Sequence, residues 1–173
     1  MEYYDIVRSS CSFDSGLCSK LGFKAIVKAP GEVSIVDASE GKSDKILGSI
    51  AYGGGKPLVS AAKIGAKAIW ITDYLIDKKL LEVMADGSVA AVFAMSDIVL
   101  SKGLQRSKTM SRMASLLNYS IKMDVEPCFI TLADSQKNMC SYMQLVELAK
   151  LLGADDDCAR SGISETTKRI LHD

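Results

Sequence analysis

The chain has 173 residues, 48% of them hydrophobic, with 21 basic and 21 acidic side chains and a formal net charge of zero. That length fits one domain, residues 1–173, able to bury a core, with the composition of a soluble globular protein. No apolar run nears the roughly 18 residues of a membrane span, and the start, MEYYDIVRSS, lacks a basic segment followed by an apolar core, so a cytoplasmic protein is expected.

Taken in order, the segments alternate between short β-rich runs and amphipathic stretches. YYDIV (Tyr3–Val7) predicts a first strand, and Asp14–Gly22 a short helix stopped by Gly22. Lys24–Ala29, Glu32–Ala38 and Lys45–Tyr52 read as three further strands, the last ending at the glycines Gly53–Gly55. Lys56–Gly65 reads as a helix with Pro57 in its first turn and Gly65 as its stop. Ala66–Asp73 is a strand carrying the lone Trp70, and Asp77–Gly87 a helix with Asp77 as N-cap. Ser88–Met95 is almost wholly apolar, as in a parallel sheet covered on both faces. Ser107–Asp124 predicts the longest helix, Pro127–Asp134 the last strand, and Asn138–Gly153 a further helix. DDDCARSG and SETTKRIL read as two short closing helices, the second capped by Ser164. This alternation predicts an α/β fold with a mainly parallel sheet, either open and doubly wound or closed as a β/α barrel. A full eightfold barrel needs about 200 residues or more, so a barrel here would be trimmed or incomplete.

The five cysteines, Cys11, Cys18, Cys128, Cys140 and Cys158, contain no CxxC pair, and free cysteines of this kind behave as small buried hydrophobes. The single histidine, His172, stands next to the last residue. A His-based metal site or a nucleophile–His pair needs a histidine on an ordered frame, which argues against most hydrolase chemistry. Carboxylate sites for hard cations survive that argument.

Three stretches are candidates for function. AYGGGKPL puts glycines between a strand and a helix, where backbone N–H groups can meet a phosphate. Its spacing fails the P-loop pattern, and a tight strand-to-helix turn is the plainer reading. The acids Asp5, Asp37, Asp73, Asp97 and Asp134 are read as standing at strand ends, where barrel enzymes gather catalytic groups. Asp73 and Asp134 can ligate a hard cation there, or simply cap turns. Finally, Ser101–Lys122 holds five cations, Lys102, Arg106, Lys108, Arg112 and Lys122, and no acid. On a helical wheel Met110, Met113, Leu117 and Ile121 share one stripe, and Lys108, Arg112, Ser115 and Tyr119 the opposite face. Lys108 and Arg112 repel at i,i+4 where surface helices ordinarily pair opposite charges, and a polyanion relieves that repulsion.

The ordered set of segments resembles the archaeal ribonuclease P protein component 3 family, whose eukaryotic relatives are thirty-kilodalton ribonuclease P subunits. The resemblance is carried by YYDIV, IAYGGGKPLVSAAKIGAKAIWITD, LIDKKLLEVMADGSVAAVFAMSDIVLSKG, QRSKTMSRMASLLNYSIKMDVEPCFITLAD and YMQLVELAKLLGADDDCARSGISETTKRIL. It covers Lys45 to Leu171 well and, before Ser43, only the first strand. The N-terminal part is shorter than is usual in the family, and Lys56-Pro57 stands where members often carry acidic and polar residues.

The resemblance implies a TIM-barrel-like α/β fold akin to the polymerase and histidinol phosphatase (PHP) superfamily. It lacks the metal site, because the His-x-His position reads Asp5-Ile6-Val7-Arg8. It implies a non-catalytic subunit. The catalyst would be the ribonuclease P RNA, which uses Mg²⁺ to remove the 5′ leader of precursor tRNA, and no cofactor is expected on this chain. The implied partners are that RNA, precursor tRNA through the holoenzyme, and ribonuclease P protein component 2, a ferredoxin-like subunit forming a heterotetramer with this one. The RNA-facing residues would be Lys102, Arg106, Lys108, Arg112 and Tyr119. Arg8 and the helix-end pair Lys168 and Arg169 form further patches, the pair being equally explained by favourable cations at a helix C-terminus. A net charge of zero counts against an RNA binder, unless its charge is localised. Two other readings stand beside this one: a metal-dependent phosphoesterase using Asp5, Asp73 or Asp134, and an interaction-only module.

Overall fold

The computed structural model describes residues 1–14, 16–31, 33–40 and 43–172. Strand β1 (Tyr4–Arg8) pairs in parallel with β2 (Ala25–Ala29). A second parallel sheet runs in chain order through β3 (Ile35–Asp37), β4 (Ile50–Gly53), β5 (Ala68–Ile71), β6 (Ala90–Ala94) and β7 (Pro127–Ile130). The helices are α1 (Leu17–Leu21), α2 (Ser43–Ile46), α3 (Lys56–Ile64), α4 (Lys78–Asp86), α5 (Ser96–Leu100), α6 (Gly103–Lys122), α7 (Tyr142–Leu151), α8 (Asp156–Ile163) and α9 (Glu165–His172). Strands β5 and β6 are buried at every position, as expected of parallel strands covered on both faces.

The core is one continuous cluster from Ile6 to Ile170, in which Phe93 and Phe129, 5.4 Å apart between ring centroids, are the largest fully buried side chains among the described residues. Helix α8 comes so close to β7 that Gly162 rests on the Phe129 ring, and a Cβ added there would lie 2.6 Å from Phe129 Cδ2. The helix starts follow their caps: Asp77 accepts from Leu80 N–H, Asp155 from Cys158 N–H, and Ser141 forms a reciprocal box with Gln144.

The two sheets meet where β7 runs on past Ile130. Leu132 N–H donates to Ile6 O and Arg8 N–H to Ala133 O, both at 2.9 Å. Leu132 takes a left-handed conformation, with φ at 47°. The same junction buries Asp5 completely. Its carboxylate accepts from Ile6 N–H (2.9 Å), Thr131 N–H (2.7 Å) and Thr131 Oγ1–H (2.6 Å). Burial pushes its pKa up to about 7, and the bonds from Thr131 and Ile6 pull the other way. On the other side β2 and β3 belong to different sheets, and only residues 30–34 separate them in sequence. The expected barrel is thus seen as parallel α/β architecture in two sheets that meet, among the described residues, at the hydrogen-bonded junction of β7 with β1.

Several expectations need correction. Lys45–Tyr52 is not one strand, because Lys45 and Ile46 end α2 and Gly48, with φ at 73°, turns the chain before β4. The strand expected over Glu32–Ala38 shortens to Ile35–Asp37, and Glu32 lies outside the described residues. The loop expected after β6 holds the unforeseen helix α5, and the longest helix begins at Gly103 rather than Ser107. Helix α7 starts at Tyr142, where its capping box sits, and a 3-10 turn occupies Gln136–Asn138. Ser164 does not cap α9 with its side chain, since its hydroxyl donates back to Arg160 O at 2.7 Å. Asp5 is interior to its strand rather than at its end.

Candidate nucleic-acid interface

Parallel strands joined by helices bring all their carboxyl ends to one side, and loops there form the usual ligand site of such folds. Here that side, the mouth, carries Arg8 at the end of β1 with Ser9 and Ser10 after it, Tyr52 on β4, Thr72 to Tyr74 after β5, Asp97 on α5 and Asp134 after β7. Two open clefts lie in it. The larger, about 660 Å³, is lined by Trp70, Tyr74, Asp97, Lys102, Gln105 and Arg112, among others. The smaller, about 410 Å³, lies between β2 and β3 and is lined by Arg8, Ser10, Pro30, Ile35, Tyr52 and Trp70, among others. Trp70 and Thr72 border both.

A polar chain fixes the wall between the clefts. Trp70 Nε1–H donates to Tyr74 Oη (3.3 Å), and Tyr74 Oη–H donates to Asp97 Oδ2 (2.7 Å). The Ala94 N–H also donates to Tyr74 Oη, and the Tyr74 ring stacks on Phe93. Burial and the neighbouring carboxylate raise the Tyr74 pKa well above the phenol range. Burial raises the pKa of Asp97 too, against the opposing pull of Tyr74 and Arg8. The Arg8 guanidinium lies over the Trp70 ring, 5.7 Å from its centroid, and the Tyr52 ring is 5.8 Å from Trp70. Asp134 is held below the usual carboxylate range, chiefly by the Asn138 amide at 2.7 Å.

The structure divides the sequence candidates by position. Lys102 and Arg112 line the larger cleft, and Arg8 the smaller. Arg112 Nη1 reaches the Asp73 carbonyl at 3.4 Å. Arg106, expected in a loop before the helix, lies in the first turn of α6. Its guanidinium donates to Ser101 O (2.8 Å) and Val99 O (3.3 Å), covering the carbonyl end of α5. Lys108 and Arg112 face outward as the wheel required. The buried stripe is rotated slightly, to Thr109, Met113, Leu116, Leu117 and Ser120, leaving Ile121 exposed. Among the described residues, none of Arg8, Lys102, Arg106, Lys108 and Arg112 has a carboxylate within ion-pair distance.

Tyr119 is set apart from this group. It lies about 24 Å along α6 from Gly103 at the helical rise, with Lys122 Nζ 6.0 Å from its ring centroid. Lys168 and Arg169 sit at the opposite side of the sheets. Arg169 pairs with Glu126 (2.9 Å) and donates to Ser88 O (3.4 Å), residues that precede β7 and β6.

The glycine run behaves as a tight turn. Gly53 (φ 140°) and Gly55 (φ 65°) take conformations open to glycine, and the Thr72 N–H and hydroxyl both bond to Gly53 O. The three acids of the metal reading do not converge. Asp5 is bound to Thr131, Asp134 to Asn138, and Asp73 accepts from Leu75 N–H. Among the described residues no group of three or more His, Cys, Asp or Glu side chains is placed to hold a metal ion. Cys11, Cys128 and Cys140 are buried, and burial raises the Cys128 thiol to about 12. Tyr52, Tyr74 and the linking role of Trp70 and Asp97 were missed from sequence. The available signal was a lone tryptophan three residues before the strand-end acid Asp73.

Fold and mouth together define an α/β protein whose strand ends carry cations and aromatic rings. No family model and no curated protein matches the chain. Solved structures do share its fold. A chain of the cryo-EM structure of archaeal ribonuclease P with mature tRNA superposes with a TM-score of 0.68 at 16% identity, over 98% of this chain and 80% of that one. The ochratoxinase of A. niger superposes with a TM-score of 0.58 at 15% identity, over 98% of this chain and 54% of that one. An uncharacterized protein gives 0.60 at 12%, over 97% and 55%. The chain therefore spans about half the length of two of these three. No helix among the described residues is long and apolar enough to cross a membrane.

Proposed function

We propose that this chain is a non-catalytic protein subunit of archaeal ribonuclease P, where it binds and stabilises the RNA that removes the 5′ leader of precursor tRNA. The observation that carries the reading is the row Lys102, Arg106, Lys108 and Arg112, cations without a carboxylate partner among the described residues, on one helix end in a protein of zero net charge. The likeness to a chain of archaeal ribonuclease P supports it. In this reading the two sheets form a trimmed, PHP-like barrel closing through the junction of β7 with β1. Chemistry and Mg²⁺ belong to the RNA, and this chain supplies positive charge that lowers phosphate repulsion in the folded RNA. Component 2 is its protein partner, in a heterotetramer.

Each cation seated on a phosphate releases counterions, so binding weakens steeply with salt. Reversing Lys108 and Arg112 to Glu removes about two such contacts and should lower the salt slope by about two. It should also reduce tRNA 5′ processing by the reconstituted holoenzyme. Unchanged processing and salt dependence with an intact fold would reject the RNA-facing assignment.

A further inference from the structure

The helix cations account for phosphate contacts but not for the aromatic clefts beside them. Tyr52, half-buried, forms one wall of the smaller cleft, and Trp70 stands between the two. Cations flank both: Arg8 on one side, Lys102 and Arg112 on the other. Within the larger cleft the Asp97 carboxylate is an acceptor fixed by Tyr74, and a carboxylate has about four lone-pair sites, of which Tyr74 takes one. Ser10 and Thr72 add hydroxyls along the rim.

Charge alone would suit any polyanion. Recessed aromatic rings suit one whose bases can leave the stack. A duplex offers phosphates and sugar hydroxyls on a convex surface and keeps its bases inside, whereas unpaired nucleotides present a flat face and a hydrogen-bonding edge. A carboxylate inside the cleft repels phosphate and accepts from an exocyclic amino group, as acidic side chains do from the N4 of cytosine. Flanking cations then meet the backbone phosphates on either side of the base.

We infer that the mouth is a groove for unpaired RNA. A base stacks on Tyr52 in the cleft between β2 and β3, and its neighbour, bearing an exocyclic amino group, enters the larger cleft at Asp97. Arg8, Lys102 and Arg112 hold the phosphates. This rests on the RNA-binding reading and narrows it to single strands and to a base class.

Trp70 is the single tryptophan of the chain, so its fluorescence reports the groove directly. The full chain is titrated with short oligo(C), oligo(U) and a duplex RNA of equal length. Oligo(C) should change the Trp70 emission and bind more tightly than oligo(U), and the duplex should leave the emission unchanged. Tyr52→Leu should weaken oligo(C) about tenfold, the scale of losing one base–aromatic stack. Asp97→Asn should erase the preference for C over U, and circular dichroism of both variants establishes that they fold. Duplex binding at least as tight as single-strand binding, with silent Trp70, keeps the RNA reading and overturns the groove. Failure of every RNA to bind overturns both. Equal affinity for oligo(C) and oligo(U) overturns the role of Asp97.

Discussion

Replacing Asp5 with Asn tests the junction between the sheets through its pH dependence. The carboxyl is fully buried and its pKa rises from 3.8 to about 7 on folding. The folded state therefore holds the proton more tightly than the unfolded chain. Stability linked to this group is fully present below the unfolded pKa and is lost as pH climbs through the folded one. Integrated between about pH 4.5 and about pH 8, that loss is about 3 kcal/mol. Asn keeps the shape and still accepts from the Ile6 and Thr131 N–H groups, and its amide can donate to the Thr131 hydroxyl, which then serves as acceptor. The variant should therefore gain stability relative to the native chain as pH rises, by about 3 kcal/mol over that range. Urea unfolding of both proteins across pH measures the difference, in which titration of the shared groups such as Asp156 and Asp134 cancels. Parallel stability curves would show that Asp5 is not buried as a titrating group, and the account of the junction would fail.

Gly162→Ala places a methyl against Phe129 and Pro127 O, 2.6 and 2.9 Å away before any shift. Overpacking of this kind costs about 1–3 kcal/mol and outweighs the roughly 1 kcal/mol gained by replacing a helical glycine. Thermal unfolding should show a net loss, and a more stable variant would mean that α8 does not pack so closely on β7. Arg169→Gln should leave RNA affinity and its salt slope intact while Arg112→Gln lowers both, because the two lie at opposite sides of the sheets. Equal losses in filter binding would contradict that separation.

The strands with strong apolar runs and the helices with clear caps were legible because their signals are local. Asp77 caps α4, and Gly65 closes α3, where the sequence placed them. Helix α5 was hidden because five residues following a wholly buried strand are too few to show a period, and because its N-cap position, Met95, supplies no side-chain cap. The first turn of α6 was hidden for another reason. It begins at a glycine without a side-chain cap, and what holds it is Arg106 reaching back to Ser101 and Val99. The cationic row itself was plain in the sequence, since an acid-free window needs no tertiary knowledge. The groove was not. Its wall depends on Trp70, Tyr74 and Asp97 meeting from separate elements, and its second cleft on the separation of β2 from β3.

The junction of β7 with β1 also constrains the order in which the chain can complete itself. Strands β1 and β2 leave the ribosome before β3 through β7, yet Ile6 and Arg8 find their partners at Leu132 and Ala133, and Asp5 finds Thr131, 126 positions away. A lone two-stranded pair is marginal in water. The five-stranded sheet, by contrast, gains each strand from the segment just synthesised, from β3 through β7. Strand β1, made before the five-stranded sheet, is thus secured only once that sheet's last strand exists, and the mouth, with Arg8 at its edge, is assembled only after synthesis has passed residue 133.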